Sequence, residues 1–368
     1  MNFDLTQEQS LLKDAVTRLL SDRYGFEVRR RLAGEPRGWS AEIWGQFAEM
    51  GLLAAIFAEE DGGLGGGPVE TLVIGEALGA ALSAEPYLAT VVMGGAALRF
   101  SDNAALKAEI VPAIAAGEMM LACAVDVGRP RATADGGTWV LDGAAAGVLH
   151  GDSADRLVVA ADSDAGPLVL LVSSDAAGLV RRGHRTFDGL RGAAVSFEGV
   201  RVSAGALLAR GAAAEALIER IIQHAIAYLA AEATGTMAML LDVTVEHLKT
   251  RTQFGQPLAK FQALQHRCSE MLVALEQARS MALYAAAMVD DPDPVERRKA
   301  FAAVKLVTSQ AARFVGQNAV QLHGGVGVTE EHRAGWGLKR LTMIDMLFGD
   351  AEAQAATLAV LGGFVEAV

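Results

Sequence analysis

The stretch Arg251-Thr252-Gln253-Phe254-Gly255-Gln256-Pro257-Leu258 lies between two long runs of helical periodicity. Before it, Leu217, Ile221, Leu240, Leu241, Val245 and Leu248 recur at helical spacing, as one long helix or two. After it, Phe261 to Met288 reads as another helix and Arg297 to Leu322 as a third. The stretch carries a fixed cation, an aromatic plate and a glycine. Arg251 offers a planar, permanently charged fork suited to phosphate oxygens. Phe254 offers a flat face to a ring, and Gly255 lets backbone approach another group. Further on, Gln321-Leu322-His323-Gly324-Gly325-Val326-Gly327 is a second helix-to-glycine turn with an amide donor.

Upstream, Thr6-Gln7-Glu8-Gln9 has the form of a capping box. It precedes Leu11, Leu12, Val16, Leu19 and Leu20 at helical spacing. Gly62-Gly63-Leu64-Gly65-Gly66-Gly67 reads as a flexible break, and a helix through Leu72, Ile74, Ala77 and Leu78 follows it. From about residue 121 the period changes. Trp139 to Gly143, Leu157 to Ala161, Leu168 to Val172 and Ala194 to Phe197 are short β-rich runs punctuated by Gly, Asp and Ser. The pattern predicts an α+β, mainly α chain. Residues 1–120 form an N-terminal helical domain, 121–211 a middle antiparallel β domain, and 212–368 a C-terminal four-helix bundle.

Composition narrows the function. With 52% apolar and 21% charged residues the chain is a folded globular protein. Its net charge of −12 argues against a nucleic-acid partner, whose phosphates would repel it. Cys123 and Cys268 lie far apart and suggest buried thiols in a reducing cytoplasm. The N-terminus carries no signal-peptide pattern. The apolar segment 224–241 is interrupted by Glu232 and small polar residues, so it reads as a buried bundle helix rather than a membrane span. Phosphate-loop, HExxH, GxSxG and strand-following GxGxxG motifs are all absent. The seven histidines, His247 and His266 among them, form no metal-ligand pattern and read as surface or capping residues.

The two glycine-turn motifs, in this order and at this spacing, resemble the C-terminal half of the acyl-CoA dehydrogenase family. Leu5-Thr6-Gln7-Glu8-Gln9, Met50-Gly51-Leu52 and the acidic-glycine loop at 59–67 resemble its opening. The resemblance spans essentially the whole chain. It implies that Arg251, Gln253, Phe254, Phe261, Gln262, Gln321, Gly324 and Gly325 bind FAD. In the family the arginine and the Gln…Gly-Gly segment reach across a subunit interface to the pyrophosphate and adenosine of a neighbour's FAD. The implied substrate is an acyl-CoA, the implied electron acceptor an electron-transfer flavoprotein, and the implied assembly a tetramer.

Family chemistry needs a flavin held against the thioester and a glutamate aimed at the α carbon. That glutamate usually sits in a C-terminal aromatic-Glu-Gly-Thr turn. The matching segment here is Met346-Leu347-Phe348-Gly349-Asp350, with Phe348 at the glutamate's place. Some members carry the base, followed by arginine, on the helix before the arginine motif, and that pair here is Ala225-Ile226. The Thr-Glu-Pro…Gly-Ser-Asp loop that contacts flavin and substrate corresponds to Cys123–Pro130, with the Gly-Ser-Asp part deleted. The flavin-lining Trp-Ile-Thr triplet reads Gly147-Val148-Leu149.

Three readings follow from the resemblance. The chain is the non-catalytic subunit of a heteromer whose paralogous partner supplies base and flavin pocket, an arrangement known in the family for bulky substrates such as steroid side chains. Or it is a self-sufficient homotetramer with a relocated base, Glu232 or Asp350. Or it is a flavin-free scaffold or acyl-CoA-binding protein. Beside these stand plainer expectations: a paired or partly exposed Glu232, a hydrogen-bonded interior His224, and Phe348 as core filling.

Overall fold

A computed structural model describes residues 4–362. The described helices are α1 (Gln7–Arg23), α2 (Phe26–Gly34), α3 (Ala41–Glu49) and α4 (Pro68–Ala81), then a π-helical segment (Leu88–Gly94) running into α5 (Gly95–Arg99), and α6 (Ala104–Ala115). Strands follow: β1 (Leu121–Ala124), β2 (Arg131–Asp135), β3 (Thr138–Leu149), β4 (Arg156–Ser163), β5 (Gly166–Ser173), β6 (Leu179–Arg185), β7 (Arg191–Ser203) and β8 (Leu207–Arg210). Then come α7 (Ala212–Thr250), the two-residue strands β9 (Thr252–Gln253) and β10 (Gln256–Pro257), and α8 (Gln262–Met288), α9 (Pro294–His323), α10 (Arg333–Met346) and α11 (Ala351–Val360). The mainly helical α+β class is as the periodicities predict. The C-terminal region has a fifth helix beyond the four expected, because the Leu347–Asp350 turn starts α11.

Two compact units divide these elements. One comprises Met1–Arg29, Pro68–Ser83 and Ile226–Val368, and the other Arg30–Gly67 and Ala84–Ala225. The helical N-terminal stretch is thus shared between them, and α7 belongs to both.

In the first unit, the capping box on α1 is complete. Thr6 Oγ1 accepts from the Gln9 amide at 3.2 Å, and Gln9 Oε1 accepts from the Thr6 amide at 3.0 Å. Here α4 crosses α7 with little between the backbones. A Cβ on Gly79 would lie 2.0 Å from the Glu232 carbonyl oxygen, and one on Gly235 would lie 1.9 Å from that of Glu76. Thr236 Oγ1 donates to the Gly79 and Glu232 carbonyls, both at 3.0 Å. By length and composition α7 is apolar enough to cross a membrane, but 72% of that window is buried inside the protein.

The second unit holds the sheet, in the order β6-β7-β3-β2-β4-β5-β8, with β1 added beside β4. Most pairings are antiparallel, but β1 and β2 each pair with β4 in parallel, so the sheet is mixed. Leu141, Val148, Leu157, Val159, Leu168, Leu170 and Phe197 supply its core from alternate positions. The glycine run at 62–67 is not a loose linker. Amides of Gly63, Leu64, Gly65 and Gly66 bond the carbonyls of Ala58, Ala54, Phe57 and Ala55. A Cβ on Gly63 would sit 2.1 Å from the Phe57 oxygen, so the glycine is there for closeness.

Candidate functional site

At the end of α7 the chain turns through the β9–β10 hairpin, in which Gln253 pairs with Gln256 and Thr252 with Pro257. The two central residues, Phe254 and Gly255, have φ of +54° and +78°. Both signs are what a two-residue hairpin turn of this twist requires. Glycine adopts such angles freely, while a bulky side chain does so under strain. Yet the Phe254 ring is 88% exposed, resting edge-on against Phe261 with centroids 6.0 Å apart. A strained, displayed aromatic contributes little to this chain's own core. Arg251 and Gln253 are exposed beside it, Phe261 is half-buried, and Gln262 opens α8 on the surface.

The second motif ends α9. Gly324 terminates the helix with φ +64°, its amide bonding the Val320 and Gln321 carbonyls. Gln321, Gly324 and Gly325 are exposed, and a Cβ added to either glycine would meet nothing within 4 Å. Gly327 differs, since a Cβ there would lie 2.8 Å from the Val320 oxygen. It is a packing glycine.

Three imidazoles join the two motifs. His247, one turn before Arg251, stacks on His323 with centroids 4.6 Å apart, and His323 stacks on His332 at 4.5 Å. The expectation of scattered surface histidines is corrected here: His323 is buried and the ends of α7, α9 and α10 bring all three together. His332 does act as a cap, its Nδ1 accepting from the Ala334 amide at 3.2 Å. Desolvation first, then the charges of His323 and Arg251, hold His247 below the ordinary histidine range. Desolvation, His323, His247 and Arg333 do the same for His332. Among the described residues no cluster could hold a metal ion. An exposed arginine, the side-chain amides of Gln253 and Gln321 and two open glycines fit the diphosphate of a dinucleotide such as FAD.

Phe348 and Ala225, the positions that the resemblance matches to a base, carry no proton acceptor. Phe348 is only half-buried, so it is not simply core filling, and its φ is +59°. Gln354 Nε2 donates to its carbonyl at 2.9 Å. Beneath the turn, Lys305 Nζ donates to the Ile344 and Asp345 carbonyls, both at 2.7 Å, and to Ser309 Oγ at 3.2 Å. Asp350 is occupied as the N-cap of α11, accepting from the Ala353 amide at 2.9 Å. Ala225 is fully buried. Beside it His224 is buried and stacks on Phe100 at 5.1 Å, and the Arg220 guanidinium lies 4.1 Å from the same ring's centroid. Glu232 is buried in a two-point ion pair with Arg340, at 2.5 Å from Nε and 2.8 Å from Nη2.

Lys305 supplies a measurable signature. Burial lowers its amine to about pKa 8 from 10.5, against the opposing pull of Asp345 and Asp350. Between those two values the unfolded chain binds the extra proton, so Lys305's contribution to stability rises with pH through that window and is most unfavourable below it. The difference in unfolding free energy between wild type and Lys305→Met is expected to shift by about 3 kcal/mol in the wild type's favour from pH 8 to 10.5. Chemical denaturation across that range checks it, and a flat difference would contradict it.

In the second unit, the segment Cys123–Pro130 leaves β1 and is held by Ala146, whose amide bonds the Val127 carbonyl at 2.8 Å. Arg129 makes a two-point contact with Glu215, at 2.7 and 3.0 Å. Burial pushes the Asp126 carboxyl up, with Arg129 opposing. Gly147 lies at a register shift in β3 with φ +72°, and Val148 points into the sheet core. Neither Cys123–Pro130 nor Gly147-Val148-Leu149 carries a hydroxyl. Of the two thiols, Cys123 is buried as expected, whereas Cys268 is partly exposed.

Residues 6–118 match the family model described as acyl-CoA dehydrogenase, N-terminal domain, and residues 216–360 that of the C-terminal domain. The chain belongs to the acyl-CoA dehydrogenase family. Membership places it among FAD-dependent oxidoreductases. It is 26% identical to the probable acyl-CoA dehydrogenase YngJ of Bacillus subtilis over 98% of this chain and 99% of that one. Its fold is that of a chain in the ChsE4-ChsE5 complex from Mycobacterium tuberculosis, with a TM-score of 0.92, 24% identity and full coverage of both. It is also similar to the Tcur3481-Tcur3483 steroid ACAD, G363A variant, with 25% identity, a TM-score of 0.88, and 96% and 97% coverage. The acyl-CoA dehydrogenase motifs at Arg251 and Gln321 were legible in the sequence. His332, Lys305 and Arg340 were not, since no spacing rule relates them to those motifs, and His323, though inside the second motif, gave no sign there of being buried between two other rings.

Proposed function

We propose that this chain is the non-catalytic subunit of a heteromeric acyl-CoA dehydrogenase. Arg251, Gln253, Phe254, Gln321, Gly324 and Gly325, with Phe261 and Gln262 behind them, complete the FAD site of a paralogous partner. One contrast carries the reading: the diphosphate-side motifs are intact and exposed, while Phe348 and Ala225 leave both base positions without an acceptor. When bound, FAD supplies the hydride acceptor for α,β-dehydrogenation of the acyl-CoA. Arg251 would neutralise and orient its diphosphate, the open Gly324-Gly325 turn would let the chain come close to it, and Phe254 would offer its face to a ring. The base comes from the partner. The domain boundaries near residues 120 and 211 belong to the same proposal.

A homotetramer with a relocated base has less support. Glu232 is committed to Arg340 and Asp350 to the start of α11. A flavin-free scaffold gives no role to the strained, exposed Phe254. The similarity to a steroid ACAD named as a pair supports the heteromer and a bulky acyl-CoA. Exposed Leu272 and Val273 on α8 support assembly through the C-terminal helices. We place the protein in the cytoplasm, as its two free thiols suggest, with an electron-transfer flavoprotein as electron acceptor.

Arg251→Ala tests the site. Loss of a charge-assisted phosphate contact is expected to weaken FAD retention by about 1.5–3 kcal/mol. Flavin absorbance per mole of purified complex reads it out, and unchanged content would remove Arg251 from the site.

A further inference from the structure

We propose that His247, His323 and His332 act as one proton-accepting unit, which takes up a proton when a diphosphate settles beside Arg251 and the Gly324-Gly325 turn. The inference rests on the reading above that this surface holds the diphosphate of FAD.

The middle ring fixes the logic. His323 Nδ1 lies 2.7 Å from the Ala319 carbonyl oxygen, so it carries the proton and donates. In the neutral ring Nε2 is then a bare acceptor. It is buried and has no hydrogen-bond partner among the described residues. A buried acceptor left unpaired is costly and gains from either a donor or a proton. His332 uses Nδ1 to accept from the Ala334 amide, so its neutral-state proton sits on Nε2. Rings 4.5 and 4.6 Å apart cannot all be charged, because one imidazolium repels the next.

The surrounding charges set the direction. From α7, Arg251 acts on His247, and from α10, Arg333 acts on His332. Both are cations. Glu330, in the turn before α10, pairs with Lys339 at 3.2 Å, and Glu331 is exposed. No carboxylate is among the charges acting on His247 or His332. Burial and like charge together favour the neutral form of His247 and His332. A diphosphate reverses the balance, because its negative charge favours the imidazolium that Arg251 and Arg333 oppose. Binding and protonation are therefore linked. Affinity rises as pH falls towards the titration of the free His247 and His332, which lies below the ordinary histidine range, and levels off beneath it. The diphosphate diester of FAD does not titrate in this range, so the proton taken up belongs to the protein.

The test is FAD binding to the full-length protein in the assembly in which it purifies. Isothermal titration from about pH 5.5 to 8, in buffers of different ionisation enthalpy, gives both Kd and protons taken up. Expected is uptake approaching one proton per FAD, with Kd tightening by up to about tenfold per pH unit on acidification. His323→Gln removes the central ring. His332→Asn keeps an acceptor at the helix cap, so it guards against misfolding of the buried variant. Either is expected to flatten the pH dependence and abolish the uptake while FAD still binds. If FAD binds and Arg251→Ala weakens it, but uptake is absent or survives both variants, the histidine unit is overturned and the FAD reading stands. If Arg251→Ala leaves FAD binding unchanged at every pH, both fall.

Discussion

Expressed alone, the chain is expected to dehydrogenate acyl-CoA thioesters about 10² to 10⁴-fold more slowly than its complex with a base-bearing paralogue, the range a general base contributes. The expectation comes from two positions at once. On the proposed reading, Phe348 stands at the C-terminal base position and cannot accept a proton, and Ala225 stands at the alternative on α7. The complex should carry one FAD per pair of unlike chains. Its mass, flavin content and turnover are measured on the same preparation. A single chain that holds stoichiometric FAD and turns over an acyl-CoA would defeat the heteromer.

Arg340→Met is expected to be the most destabilising of the substitutions considered, at about 3–5 kcal/mol, because it strands a buried carboxylate. Glu232 and Arg340 are each under 10% exposed and meet through two hydrogen bonds. The double variant Glu232→Gln/Arg340→Met should recover part of the loss, since no charge is then left buried and unpaired. Denaturant titration of the four proteins in the cycle measures the coupling. The cycle also bears on catalysis: a Glu232 held for structure destabilises when changed to Gln, whereas a relocated base would lose turnover and keep its stability.

What the sequence disclosed and what it hid divide along physical lines. The Thr6–Gln9 capping box, the strand runs at 139–143 and 157–161 and the long C-terminal helices were legible because each depends on neighbours a few residues apart. The Arg251 and Gln321 motifs stood out through an order of residue types that resembles the acyl-CoA dehydrogenase family. Contacts made across the fold were not. Glu232 finds Arg340 across 108 residues, and Lys305 finds the Ile344 carbonyl across 39. The histidine stack draws on three helix ends. Composition misled at residues 62–67, where glycine signalled close packing rather than flexibility. Alternation marked the strands of the sheet but not the direction in which β1 and β2 join β4.

The turn at Phe348 has an evolutionary consequence. Its left-handed backbone is anchored by Lys305 and Gln354, and neither anchor involves the side chain at position 348. On the proposed reading, the backbone that would aim a carboxylate therefore does not depend on the carboxylate. Exchanging one side chain leaves every anchoring contact in place, so drift at this position meets little resistance from folding in either direction. A lineage holding two copies of such a gene could silence one by a single replacement and keep it as a partner, with the route back left open.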